Sequence, residues 1–250
     1  MNDALSAKIE EWSKPPFDEE TRAQLNLLKQ NPEQLDDAFY KDLEFGTGGM
    51  RGIMGIGTNR INAYTLGKST QGLCDYLKST FSKTPIKVVI AYDCRNNSKS
   101  LAVKVAEIFS ANNVKVFIFS DLRTTPELSF AVKHLDAHCG IVLTASHNPP
   151  EYNGYKVYWK DGGQIVPPQD NEIIEQINNT RFSDIQFNAK KEFIEWIDQK
   201  VDQAFFDQSV QLGQFEQNGR ENFKIVFTPL HGTSITAVPQ VLAKAGYTDV

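Results

Sequence analysis

The sequence predicts a wound, mixed α/β sheet with helices on both faces, followed by the start of a second α/β domain. Three observations carry that prediction. Short β-branched runs alternate with helical patterns from Ile86 onward. Each run ends in a polar cluster, and the spacing is that of strand–helix–strand units rather than of a sandwich of turn-linked strands. Hydrophobic residues make up 40% and charged residues 23% of the 250, the balance of a globular chain that buries a real core.

The elements follow in order. Residues 4–44 are polar and helical in pattern, broken by Pro15-Pro16 and Asn31-Pro32. Asp18 with Thr21 starts the second short helix, and Asn31 caps the third with Pro32 in its first turn. A glycine-rich stretch, Phe45 to Gly57, comes next. Asn62 then caps a helix reaching Phe81. Ile86–Tyr92 is a strand, Ser98 is placed to cap a helix through about Ala111, and Val114–Phe119 is the next strand. Thr124 and Glu127 stand at capping-box spacing and open a helix expected to run to about His138.

Cys139–Leu143 is a buried strand leading to Thr144-Ala145-Ser146-His147-Asn148-Pro149, and Gly154–Trp159 returns antiparallel. A helix over Pro167–Asn178 follows, and Phe193, Ile194, Trp196, Ile197 and Val201 mark a longer one to about Val210. The polar stretch Gly213–Asn222 reads as a connector to a strand over Phe223–Phe227 and a helix closing at Gly246. One strand and one helix do not make a domain, so the sequence is expected to continue past Val250.

The net charge of −5 disfavours a general nucleic-acid or membrane surface while leaving room for a local pocket that binds an anionic metabolite. Cys74, Cys94 and Cys139 form no C-x-x-C pair and read as reduced, mostly buried thiols. With no basic-apolar leader and no apolar run near the roughly 18 residues of a membrane span, the expected location is cytoplasmic.

Chemistry concentrates in two stretches. Ser146 lies just past a strand's carboxyl end, where open α/β sheets bind ligands, with His147, Asn148 and Lys156 nearby in sequence. It lacks the flanking glycines of a hydrolase nucleophile elbow, so it reads either as a serine that exchanges an acyl or phosphoryl group or as a polar turn closed by Asn-Pro. Between Phe45 and Gly57, six of thirteen residues are glycine, with Arg51 among them. Such a loop can cradle an anion, with Arg51 adding a bidentate fork, or its glycines can serve turn geometry alone. Asp93 and Arg95 read as an ion pair bracing the site. His134 and His138, at helical spacing, lack a third metal ligand.

Taken together, the serine loop, the Phe45–Gly52 segment and Thr228-Pro229-Leu230-His231-Gly232 resemble the α-D-phosphohexomutase family of phosphoglucomutases and phosphomannomutases over almost the whole chain. The stretch Met54–Asn62, with Asp93-Cys94-Arg95-Asn96-Asn97-Ser98, is most similar to the branch holding the phosphoglucomutase-2 and phosphopentomutase-like enzymes. The resemblance implies that Ser146 carries a phosphoryl group, passes it to a hexose phosphate, and recovers one from the reoriented hexose 1,6-bisphosphate, which also serves as activator. Ser146, His147, Lys156 and Arg51 would be catalytic, with the choice of base among the last three open. Thr47, Gly48, Gly49, Arg51, Thr144, Asn148 and Lys156 would bind substrate or phosphate, with Asp93 and Arg95 supporting them.

The resemblance also implies Mg²⁺ bound through the phosphate on Ser146, with its remaining ligands absent from this chain. It places a first domain over 1–208, including an N-terminal helical extension, and the incomplete start of a second over 209–250. These residues alone are expected to turn over no substrate. The reaction expected of the full enzyme interconverts hexose 1- and 6-phosphates of glucose or mannose; a phosphopentomutase or glucose-1,6-bisphosphate synthase is the related alternative. A serine phosphatase or esterase and a non-catalytic sugar-phosphate-binding module are the alternatives of other classes. The expected partner is a small sugar phosphate, with no nucleic acid or membrane and no assigned oligomeric state.

Overall fold

A computed structural model describes residues 3–213 and 219–250. Three short helices come first: α1 (Asp3–Glu11), α2 (Glu19–Leu28) and α3 (Pro32–Phe39). The caps are those expected, Asp18 accepting from Thr21 N and Asn31 from Gln34 N. Their apolar faces close on Trp12, Phe17, Leu25 and Phe39, joined by Tyr64. Trp12 and Phe17 stack at 4.3 Å within this layer, and the Phe17 ring, 4.5 Å from that of Tyr64, joins it to the body of the protein.

The body is one six-stranded sheet in the order β1-β5-β4-β2-β3-β6, built from β1 (Gly49–Ile53), β2 (Lys87–Tyr92), β3 (Lys115–Phe119), β4 (Cys139–Leu143), β5 (Tyr152–Trp159) and β6 (Ile194–Ile197). Strands β4, β2, β3 and β6 are parallel, and β5 runs antiparallel to both β4 and β1. Parallel central strands need both faces covered, which explains the near-continuous burial of β2 and β4. Helices α4 (Ala63–Thr80), α5 (Ser98–Ala111) and α7 (Gln169–Asn179) cover one face, burying Leu73, Val105 and Ile173 against Ile90, Ile141 and Tyr155. Helices α6 (Thr125–His134) and α8 (Gln199–Leu212) cover the other around Val89, Leu128, Val142 and Val201. The predicted mixed sheet with helices on both faces is therefore the observed one.

Several local expectations change. The apolar residues 193–201, expected to be helical, split into edge strand β6 and helix α8. Pairing of β6 with β3 holds the strand, and Asp198, taking Ser120 N and Oγ, sits at the break. Helix α5 is capped by Asn97, in the left-handed region at φ 62°, rather than by Ser98; the Ser98 hydroxyl is used by Asp93 instead. Helix α6 stops at His134, so His138 is not its i+4 neighbour; its Nδ1 accepts from Lys87 N. Cys94 is exposed, unlike Cys74 and Cys139. Phe223–Phe227 forms no strand among the described residues, only a single parallel bridge from Lys224 to Asp249. Helix α9 (Val238–Lys244) follows as expected, while residues 214–218 of the expected connector lie outside the described residues.

Candidate functional site

The strands β2 and β4 end side by side, and the loops that follow them line an open cleft of about 810 Å³. Asp93, Arg95, Arg123, Thr144, Ser146, His147 and Asn148 line it, faced by residues 229–233. Asp93, Arg95, Arg123 and Ser146, each from a loop that follows a strand, thus line one cleft.

Ser146 is exposed and sits at φ 57°, in the left-handed region that costs a non-glycine residue on the order of 1–3 kcal/mol. Its surroundings hold it there. Ser146 N donates to Thr144 Oγ1 at 2.9 Å, and Ala145 beneath it is fully buried. From across the cleft floor Arg95 donates to four carbonyls: Ser146 at 2.7 Å, Asn148 at 2.6 Å, Pro149 at 2.8 Å and Tyr152 at 3.1 Å. Asp93 aims that guanidinium, its Oδ2 lying 3.4 Å from Arg95 Nε and its Oδ1 accepting from Arg95 N and Ser98 Oγ. Through these bonds Arg95, held by Asp93, reaches both arms of the serine loop.

Two cations stand on β1 and β5. Arg51 on β1 stands opposite Gly154 on β5, and Lys156, two residues on, stands opposite Val142, which lines the cleft. Cross-strand partners and i+2 neighbours share a sheet face, so Arg51 and Lys156 lie on one face of the two strands that flank β4 on its antiparallel side. Gly154 makes this approach possible: a Cβ there would lie 2.5 Å from the Thr144 carbonyl, 2.7 Å from the Met50 carbonyl and 3.2 Å from Arg51 Cγ. Among the described residues neither cation has a carboxylate partner. Burial, and secondarily the Arg51 guanidinium, hold the Lys156 ammonium below the ordinary lysine value. Arg51 also lines a neighbouring groove with Arg60 and Tyr152 rather than the main cleft.

Thr47, Gly48 and Gly49 are placed differently. They form the tip of a tight turn closed by Gly46 and Gly49, at the end of β1 remote from the serine loop. The Thr47 hydroxyl donates to Asp170 at 2.9 Å, and the Gly48 carbonyl takes Val157 N and Gln164 Nε2. Gly48 at φ +84° and Gly49 at φ +133° serve turn geometry and the close approach to β5. His147 lies with Nδ1 3.3 Å from Ser146 Oγ, and no hydrogen bond to a carboxylate orients its ring among the described residues. A serine–histidine–acid relay is therefore incomplete.

Sequence reasoning missed a buried cluster behind the cleft wall. Arg123 donates twice to Asp202, both at 2.9 Å, and to Asp198 at 3.2 Å, while the fully buried Glu127 carboxylate lies 3.9 Å from Arg123 Nε. Burial, and then the adjacent Asp202 carboxylate, raise the Glu127 carboxyl to about 7. The half of the expected capping box that exists is Thr124 Oγ1 accepting from Glu127 N. As for a divalent cation, Asp93 is the only carboxylate lining the cleft among the described residues, and Arg95 and Ser98 occupy it. No group of three or more His, Cys, Asp or Glu among them is placed to hold a metal ion. These residues do not by themselves fit a Mg²⁺ shell.

Comparison with known proteins identifies the family. Residues 42–184 match the family model described as phosphoglucomutase/phosphomannomutase, alpha/beta/alpha domain I. A phosphoglucomutase of Staphylococcus haemolyticus is 35% identical over 221 residues, 86% of this chain and 39% of that protein. A phosphopentomutase of Mus musculus is 40% identical over 182 residues, 70% of this chain and 29% of the relative. A phosphoglucomutase/phosphomannomutase family protein from Burkholderia thailandensis shares the fold at TM-score 0.58 and 18% identity, over 82% of this chain and 43% of its own. The chain spans about two fifths of the length of the phosphoglucomutases it matches. With a domain I model covering more than half of it, the chain belongs to the phosphoglucomutase/phosphomannomutase family.

Proposed function

We propose that this chain carries the phosphoryl-transfer half of a phosphosugar mutase, with Ser146 as the phosphate carrier. The observation that carries the reading is an exposed, left-handed Ser146, clamped by Arg95, on a sheet whose β1 and β5 carry Arg51 and Lys156 on one face with no carboxylate to neutralise them. A phosphoserine brings about −1.5 to −2 charges at neutral pH, and Arg51, which no carboxylate neutralises, supplies opposite charge, joined by Lys156 whenever its amine holds a proton. Transfer of a phosphoryl group is catalysed chiefly by position and charge, which is what a clamped loop beside fixed cations provides.

In the proposed step the Ser146 Oγ–phosphorus bond breaks as a sugar oxygen–phosphorus bond forms. Lys156, whose lowered pKa eases proton exchange, takes the proton of the attacking sugar hydroxyl. His147, 3.3 Å from Ser146 Oγ, returns a proton to the departing serine oxygen. The reverse transfer from the hexose bisphosphate resets both groups. Arg51 binds the phosphoryl oxygens through its planar fork. Thr144 and Asn148 shape the loop, and no step is drawn through Mg²⁺.

The substrates we propose are glucose or mannose phosphates in their 1- and 6-forms, with hexose 1,6-bisphosphate as intermediate and activator, acting in the cytoplasm. The phosphoglucomutases among the relatives support hexoses, and the mouse relative keeps a pentose phosphate open to test. Residues 1–208 would form the first domain and 209–250 the opening of a second. Mass spectrometry after incubation with glucose 1,6-bisphosphate tests the reading. One phosphate on Ser146, absent in Ser146→Ala, supports it. An unmodified Ser146 in protein that turns over hexose phosphate defeats it.

A further inference from the structure

We infer that Asn153 is a positioning residue, tying the strand that carries Lys156 to the same carboxylate that aims Arg95 at the serine loop. This deepens the phosphate-carrier reading of Ser146 and rests on it.

Asn153 is the second residue of β5 and is fully buried, as is Ser98 at the start of α5. Its Nδ2 donates to Ser98 Oγ at 3.0 Å and to the Asn96 carbonyl at 3.1 Å, and its Oδ1 accepts from Gly154 N at 2.8 Å. Ser98 Oγ gives its one proton to Asp93 Oδ1 at 2.7 Å, so toward Asn153 it can only accept. The direction of every bond is thereby fixed, from Asn153 through Ser98 to Asp93. A buried network with each donor matched holds its members to one arrangement.

Asp93 is the shared anchor. On one side it orients Arg95, which grips the carbonyls of Ser146, Asn148, Pro149 and Tyr152. On the other, through Ser98 and Asn153, it fixes the start of β5, one residue before Gly154 and three before Lys156. The serine loop and the lysine belong to different elements, and Asn153 sets the distance between them. An amide is required: a carboxylate in its place would face two acceptors, Ser98 Oγ and the Asn96 carbonyl.

Asn153→Asp in the full-length enzyme tests this, because it keeps the shape and inverts the donors. Two measurements are made on folded protein: turnover of glucose 1-phosphate, and NMR titration of the Lys156 ammonium. We expect kcat to fall about 10- to 100-fold with KM changed far less, since a displacement near 1 Å at a reacting centre costs on that order. The ratio of variant to parent kcat should rise as pH falls, because the introduced carboxyl regains a donor when protonated. The Lys156 titration should move toward the ordinary lysine value as its neighbours shift. A folded variant with kcat and Lys156 titration equal to the parent's overturns the inference. If Asn153→Asp does not fold, Ser98→Ala removes the same link without adding charge; smaller changes in the same direction support it, and parental values overturn it. A shifted Lys156 in a chain whose Ser146 never carries phosphate leaves the positioning role standing and defeats the carrier reading instead.

Discussion

The guanidinium of Arg95 reaches the backbone carbonyl of Ser146 at 2.7 Å, on a loop whose serine is held left-handed at φ 57°. An arginine here satisfies four carbonyls with one planar group, so the loop's conformation depends on a single side chain contributed by the end of β2.

Arg95→Lys should therefore loosen the loop while keeping the charge. A single ammonium cannot span carbonyls on both arms of the loop. We expect phosphorylation of Ser146 by glucose 1,6-bisphosphate to slow by about 10²-fold, with secondary structure by circular dichroism unchanged.

Ser146→Ala and Ser146→Gly should both lose the phosphate carrier yet differ in stability. Alanine keeps the left-handed strain, whereas glycine adopts that conformation freely. The glycine variant should unfold in urea with a stability about 1 kcal/mol above the alanine variant.

Gly154→Ala tests the approach of Arg51 to the serine strand. Its Cβ would press on the Thr144 and Met50 carbonyls, both backbone atoms. We expect a loss of about 1–3 kcal/mol in stability, read by denaturant unfolding, as for other overpacked sites.

Glu127 predicts a pH dependence with a defined sign. Its carboxyl titrates near 7 in the folded chain, against an ordinary value of 4.5. Below about 4.5 it is neutral in both states and costs nothing. As pH rises from there to about 7 the unfolded chain releases the proton more readily, so stability falls, by up to about 3 kcal/mol. Glu127→Gln should remove this slope, and the difference between the two stability–pH curves measures it.

The alternation of strands and helices was legible because each depends on local pattern, and Ser146, Asp93 and Arg95 could be placed because strand ends converge in a wound sheet. Strand β6 was not legible: Ile194 and Ile197 fit a helix equally well, and only pairing with β3, far away in sequence, decides between them. The turn Thr47-Gly48-Gly49 shows the same limit, since glycines suit a phosphate cradle and a tight turn alike. Its distance from the serine loop follows from the register of β1 with β5. The raised pKa of Glu127 is not legible in sequence because its causes, burial first and then Asp202 on α8, arise only from tertiary packing.

The segment bearing Ser146 joins β4 to β5, adjacent antiparallel strands of one sheet. It is thus a post tethered at both feet, unlike the long swinging arms that ferry groups between separate centres. If the phosphate sits on that post, the two ends of a sugar bisphosphate must each be brought to it in turn. The room for that half-rotation has to come from the open cleft, so whatever narrows the cleft controls how readily the intermediate can turn.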